Sequence, residues 1–317
     1  MKLLFELSGE HPELPFAELE CVGRILDWNP QVAVAECPEP DATARLALSH
    51  VVMEYLGDCP ADVSSLRELL KSLSITTDRT FAGRAKKIHG TAMDAAQLDL
   101  ERLIGSTIDG PVNLSHPEEE YRVICSSDRC YFGRVIRTID RGDFAYRNPM
   151  RRPFFHPGVM MPITARALVN LSLAMPGDLL FDPFCGTGGV LLEAHLVGAR
   201  VLGSDAEEAM IAGSRANLPG ADLLLADATA MPLRDNCIDA VVTDLPYGQS
   251  VRIRAESMER LYARSLSEIR RVLKEGRRAV VVTHQEIPAI AGEYFEITGM
   301  FRQRVHKSLT RRIMVLQ

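Results

Sequence analysis

The stretch DAVVTDLPYGQS, residues 239 to 250, ends an apolar run in a carboxylate, and a proline, a tyrosine and a glycine follow at once. At Asp244 a carboxylate can accept N–H bonds and afterwards a proton. Pro246 locks φ and fixes the turn, and Tyr247 offers an aromatic face to a planar ligand. Three earlier runs end in the same way: LLFDPF reaches Asp182, RVLGSD reaches Asp205 and DLLLAD reaches Asp227. A single aspartate at a strand end often does no more than cap the next helix. Four in succession, with Gly186, Gly188 and Gly189 following the first, point instead to a ligand site along one edge.

Such a row needs strands whose ends line up. Between residues 178 and 284 short apolar runs alternate with helical patterns: LLFDPF, GGVLLEAHLV, ARVLGSD, EEAMIAGSRAN, ADLLLAD, IDAVVTD, ESMERLYARSLSEIRRVL and RRAVVVTH. This alternation predicts a parallel sheet covered on both faces, a doubly wound α/β domain. YFEITGMF and TRRIMVLQ read as a closing hairpin. Open α/β sheets bind ligands outside the carboxyl ends of their strands. There the glycines let main chain approach a ligand. Asp205 stands where such folds keep a carboxylate for ribose hydroxyls, and Asp227 is placed to meet an adenine edge. The G-x-G-x-x-G dinucleotide spacing is absent.

The first half reads differently. KLLFEL, QVAVAEC, ALSHVVMEYLGD, TFAGRAKKIHG, YRVICSS and CYFGRVIRTI are strand-like, and PFAELECVGRIL has helical period. Prolines 149, 153 and 157 punctuate the passage between the halves. The expected organisation is an α+β N-terminal region over 1–146, a linker over 147–158 and an α/β domain over 159–317. A chain of 317 residues is long enough for two or three domains. Its 46% hydrophobic and 25% charged residues suit buried cores. The start, MKLLFELSGE, reads as a first strand rather than a signal peptide, and no run reaches the length of a membrane span. Seven cysteines stand without paired metal-site spacing, so free thiols in a reducing cytoplasm are expected.

Net charge is −6, which taken alone disfavours a nucleic-acid partner, but its distribution is uneven. From Arg129 to Arg152 there are seven arginines against Asp140 and Asp143, and from Arg302 to Arg312 four arginines and Lys307 without an acid. Residues 1 to 20 hold five glutamates and one lysine.

FDPFCGTGGVLLEA, GSDAEEAMIAGSRANL, ADATAMP and TDLPYGQS resemble successive motifs of Rossmann-like methyltransferases that use S-adenosylmethionine to methylate exocyclic amines. Their hallmark [DN]-P-P-[YF] is matched by Asp244-Leu245-Pro246-Tyr247. The wider resemblance, over essentially the whole chain, is to THUMP-domain RNA methyltransferases of the archaeal tRNA guanosine-10 N2 type. RPFFHPGVMMPITARALVNLS (152 to 172) and the tail RVHKSLTRRIMVL carry it.

The resemblance implies a THUMP-containing RNA-binding region ahead of the catalytic domain. Asp182, Pro183, Gly186, Thr187 and Gly188 would hold the methionine end of the cofactor, Asp205 its ribose, and Asp227 and Ala228 its adenine. The Asp244 carboxylate and the Leu245 carbonyl would grip the target amine, with Pro246 setting the turn and Tyr247 stacking on the base. Leucine stands at 245 where the family pattern has proline, which bears on how stiff that loop is. Arg84, Lys86, Lys87, Arg134, Arg137, Arg147, Arg151, Arg152, Lys307 and Arg311 would face tRNA. No metal, membrane or DNA is expected, and a small zinc-containing activator subunit, as used by related eukaryotic enzymes, is a candidate partner. Three other readings share features of the sequence: methylation at tRNA position 6, methylation of DNA adenine N6 or a protein amine, and an RNA-binding protein without catalysis.

Overall fold

The structure is a computed structural model and describes residues 1–247, 255–306 and 309–317. They form two compact units, Met1–Asp140 and Arg141–Gln317. The first unit is a seven-stranded sheet. Its strands are β1 (Lys2–Leu7), β2 (Arg24–Asn29), β3 (Val32–Glu36), β4 (Ser49–Pro60), β5 (Phe81–Lys87), β6 (Glu119–Ser126) and β7 (Arg129–Thr138). They lie in the order β2-β3-β1-β4-β7-β6-β5. Only β5 and β6 pair in parallel. The interior strand β1 is apolar almost throughout because both faces are covered. Leu3, Phe5 and Leu7 pack on Leu19 and Ala33, while Leu4 packs on Val32, Met53 and Tyr131. Helices α1 (Leu14–Glu18), α2 (Val63–Leu73) and α3 (Gln97–Thr107) complete the unit. Asp62 caps α2 by accepting from the Ser65 amide at 2.8 Å, and left-handed Ser74 ends it.

The helical period read over residues 15 to 26 overruns the helix. α1 and a 3-10 turn end at Cys21, and β2 begins at Arg24. Gly23 causes the break: a Cβ there would collide with the Glu36 carbonyl of β3, so only glycine lets the chain pass that close.

The second unit opens with the short α4 (Gly142–Ala145) and α5 (Pro162–Leu171). It continues with β8 (Leu179–Asp182), α6 (Gly189–Leu196), β9 (Arg200–Asp205), α7 (Glu208–Asn217), β10 (Asp222–Leu225) and β11 (Ile238–Asp244). α8 (Ala255–Val272), β12 (Leu273–Thr283), α9 (Pro288–Gly292), β13 (Ile297–His306) and β14 (Leu309–Leu316) close it. The strand order is β10-β9-β8-β11-β12-β14-β13. β8 to β12 are parallel, and β14 runs antiparallel between β12 and β13. This is the expected doubly wound sheet with its hairpin. α8 is amphipathic: Met258, Tyr262, Leu266, Ile269 and Val272 recur every three or four residues and bury one stripe against Val241, Val281 and Met314.

The division between units falls at Asp140/Arg141, six residues before the expected boundary. The segment expected to be a linker is packed onto the second unit. Arg147 Nε donates to Glu193 Oε1 at 2.8 Å, and Arg166 Nη2 lies 2.8 Å from Glu193 Oε2. Asn217 then clamps the chain: its Oδ1 accepts from the Phe154 amide, and its Nδ2 donates to the carbonyls of Phe154 and Thr187, each at 2.9 Å. The prolines rigidify this strap rather than loosen it.

Candidate functional site

β8 has β9 on one side and β11 on the other, so the chain winds away in both directions and the carboxyl ends of β8 and β11 border a crevice. A cavity of about 310 Å³ lies there. It is lined by Asp182 with Phe184–Thr187 at the end of β8, Asp244–Tyr247 at the end of β11 and His156–Met160 from the strap, together with Gly189 and Val190 of α6 and Met210 of α7.

Asp182 is 2% exposed. Its Oδ1 accepts from the Thr243 hydroxyl at 2.8 Å and the Phe184 amide at 3.1 Å. Burial nevertheless wins and lifts the carboxyl to about 7, with the Asp205 and Asp244 carboxylates adding to the rise. Asp244 shows the same balance. Burial pushes it up to about 6, while the Arg311 guanidinium and the Tyr247 hydroxyl hold it back. Tyr247 donates to Asp244 Oδ1 at 2.8 Å. Its ring lies beside that of His284, centroids 4.9 Å apart.

The loop after Asp244 is pinned at each step. The Leu245 amide donates to the Val282 carbonyl at 2.9 Å, and the Tyr262 hydroxyl donates to the Pro246 carbonyl at 2.8 Å. The Leu245 side chain is buried in the core. A proline at 245 could not make the bond to Val282. Leucine therefore anchors the loop through its N–H where the family pattern uses ring rigidity.

The glycines divide by role. Gly186, at φ +50°, has nothing within 4 Å of where a Cβ would stand, and it lines the cavity. Gly188, at φ +76°, is packed against α7, where a Cβ would stand 2.5 Å from Ser214 Oγ. Of the expected cofactor residues, Asp182, Gly186 and Thr187 line the cavity, whereas Pro183, Gly188, Asp205, Asp227 and Ala228 do not. Asp205 is one step back, its Oδ2 accepting from the Gly186 amide at 3.0 Å. Asp227 lies two residues past the end of β10 and accepts from the Thr229 amide at 2.8 Å.

The residues expected to face RNA also separate. Lys86 and Arg151 are exposed. Arg84 donates to the Leu114 carbonyl, and Lys87 to that of Ala95. Arg134 pairs with Glu54 and Glu119, and Arg137 with Asp41. Arg147 and Arg311 are interior: the buried Glu193 carboxylate pairs with the first, and the second acts on the half-buried Asp244. Arg152 is half-buried with its Nε bonded to the Arg147 carbonyl, and Lys307 lies outside the described residues. Sequence reasoning missed His156–Met160, Arg311 and His284 as neighbours of the site. The hairpin held a signal for Arg311, since an antiparallel strand returning along β12 brings its first residues, not its last, to the carboxyl edge.

Residues 149–313 match the family model described as RMKL-like, methyltransferase domain. Along its whole length the chain is 34% identical to the tRNA (guanine(10)-N2)-dimethyltransferase of Methanothermobacter thermautotrophicus, covering 99% of that protein. It is 29% identical to the protein of the same name from Methanocaldococcus jannaschii, over 98% of each chain. Among solved structures, TrmN from Thermus thermophilus superposes with a TM-score of 0.56 at 20% identity, over 100% of this chain and 99% of the other, a likeness of fold. The acidic switch-point cavity thus stands in a chain that belongs to the RMKL-like methyltransferases and, over its full length, to the family of the archaeal tRNA (guanine(10)-N2)-dimethyltransferases.

Proposed function

We propose that this chain methylates the exocyclic N2 of guanosine 10 in tRNA, giving first the monomethylated and then the dimethylated base. S-adenosylmethionine is the donor in this family and, when bound, supplies an electrophilic methyl group on a sulfonium. The residues present fit it. Gly186 leaves room on the cavity wall, and an ammonium set against Asp182 would favour the ionised carboxylate that burial disfavours. Asp205, half-exposed behind Gly186, suits ribose hydroxyls, and Asp227 and Ala228, outside the cavity lining, are assigned to the adenine by the family resemblance.

The observation that carries the reading is Asp244, a carboxylate on the cavity wall with one oxygen held by Tyr247. The lone pair of a guanine N2 amine is delocalised into the ring. Asp244 Oδ2 and the Leu245 carbonyl would grip its two N–H bonds, localise the pair and favour the positive charge that develops on nitrogen. A carboxyl near 6 is ionised at neutral pH, and it accepts the released proton more readily than an ordinary aspartate would. Tyr247 limits the base to one stacking plane. The first unit would act as the THUMP-containing RNA-binding region, with Lys86 and, in the second unit, Arg151 as its exposed cationic contacts.

The test is methyl transfer from S-adenosylmethionine to an unmodified tRNA transcript, beside the same transcript with adenosine at position 10. After nuclease digestion, mass spectrometry should find N2-methyl- and N2,N2-dimethylguanosine with the first transcript only. Product from both would move the target away from position 10, and no product from either would end the reading.

A further inference from the structure

We infer that Arg311 is a positioning residue for the reacting carboxylate: its guanidinium fixes the Tyr247–Asp244 pair so that the second Asp244 oxygen faces the acceptor amine. This rests on the function proposed above.

Three independent features of the sheet support it. First, β14 is antiparallel to β12, with Val282 opposite Ile313 and Thr283 opposite Arg312. Asp244 stands opposite the same Val282 on the other side of β12. Arg311 therefore enters at the carboxyl edge, one residue beyond the paired stretch and two strands from Asp244. Secondly, side chains alternate along a strand, so Arg311 and Arg312 leave the sheet on opposite faces. Arg312 goes to the His284 carbonyl and to Glu286, whereas Arg311 goes inward and is only 5% exposed. Thirdly, Tyr247 donates to Asp244 Oδ1 at 2.8 Å, and the charge of the buried Arg311 guanidinium at the same edge holds both groups below where burial alone would put them. The Tyr247 bond takes up Oδ1, which leaves Oδ2 for the acceptor amine.

The other charged and titratable groups around this chain do not supply the same hold. Asp182, at the end of β8, and Tyr262, from α8, are anionic or neutral neighbours of Asp244. His284 lies against the Tyr247 ring, and burial and Arg312 hold it below the usual histidine range. Among the described residues, Arg311 is the cation that acts on both Asp244 and Tyr247. A guanidinium is a rigid fork of donors, and an ammonium carries the charge without that geometry.

The experiment uses the full chain with Arg311→Met and Arg311→Lys. The Asp244 carboxyl is titrated by 13C NMR in cofactor-free protein and assigned against Asp244→Asn. Single-turnover methyl transfer to tRNA is followed from pH 5 to 9. With Arg311→Met, the Asp244 midpoint should move to higher pH, and the acidic limb of the rate profile should move with it. Arg311→Lys should restore most of the midpoint but leave the rate about tenfold to a hundredfold low, the loss expected from misplacing a reacting group by about 1 Å. An unmoved midpoint in Arg311→Met, or a wild-type rate in Arg311→Lys, overturns the proposal. If Arg311→Met does not fold, Arg311→Lys alone decides through its rate. The NMR titration needs no substrate, so a wild-type chain inactive on tRNA guanosine would sink the proposed function and leave this test standing.

Discussion

The two units have the same number of strands and both pair cations with acids, but the second also gathers acids at one edge of its sheet. In the first, cations and acids pair along and across the sheet: Arg134 with Glu54 and Glu119 and Arg24 with Glu36 join neighbouring strands, and Arg122 pairs with Glu120 on its own strand and with Glu6 of β1. In the second, parallel strands bring their ends to one edge, and buried Asp182 and half-buried Asp244 collect there with the single Arg311 guanidinium acting on Asp244. Topology makes the difference. An antiparallel sheet sets strand starts beside strand ends, so like residues at strand ends are spread over both edges. A parallel sheet gathers them. Paired charge serves the fold, and gathered, under-compensated charge serves a ligand.

The strongest way to break the comparison is to neutralise a gathered acid. Asp244→Asn should lower the single-turnover rate by about 10²–10⁴-fold, the usual worth of a positioned acid–base group, while cofactor binding followed by calorimetry stays near wild type. A rate within threefold of wild type would mean that the gathered acids do no chemistry. Removing a paired cation should act on folding instead. Arg122→Met leaves Glu6 buried without its partner and should cost about 2–3 kcal/mol in urea unfolding. Arg24→Met, in an exposed pair, should stay within about 0.5 kcal/mol. Equal costs for the two would undo the distinction between interior and surface pairs.

Two smaller effects sharpen it. Gly188→Ala should destabilise the chain by about 1–2 kcal/mol, from a collision with Ser214 and a left-handed φ, without selectively weakening cofactor binding. Gly186→Ala should weaken cofactor binding more than stability. Asp182 gives the pH signature. Its folded value near 7 stands above its ordinary value of 3.8, so the protonated form is favoured in the fold. The stability it contributes is therefore present at low pH and is lost as pH rises from about 4 to about 7. A cationic ligand prefers the ionised form, so cofactor affinity should rise about fivefold from pH 6 to pH 7, with proton release visible in buffers of different ionisation enthalpy. A flat affinity over that window would mean that Asp182 does not meet the ammonium.

Much of the second unit was legible because each of its elements carries a strict period. The apolar runs of β8, β9, β11 and β12, the stripe of α8 and the aspartates at strand ends are all local signals. The strap was misjudged for a physical reason. Proline-rich passages read as linkers, yet Arg147, Arg166 and Asn217 hold this one by contacts 46, 27 and 63 residues distant in sequence to Glu193 and Phe154. The basic tail was misjudged because a run of like charges conceals strand alternation: Arg312 belongs to one face, Arg311 to the interior. The two glycines looked alike in sequence, and only their neighbours, open cavity and Ser214, separate them.

Strand β14 has a further consequence, in the order in which the chain is made. It lies between β12 and β13 and pairs with both, yet it follows both in sequence. Until residues 309–316 leave the ribosome, β12 must present an open edge, and an open apolar edge invites pairing with another chain. Four of its last residues, Ile313 to Leu316, are buried, so the same strand closes the core and delivers Arg311. Completion of the sheet and completion of the site are therefore one event in synthesis, and a chain stalled before it carries Asp244 without its cation.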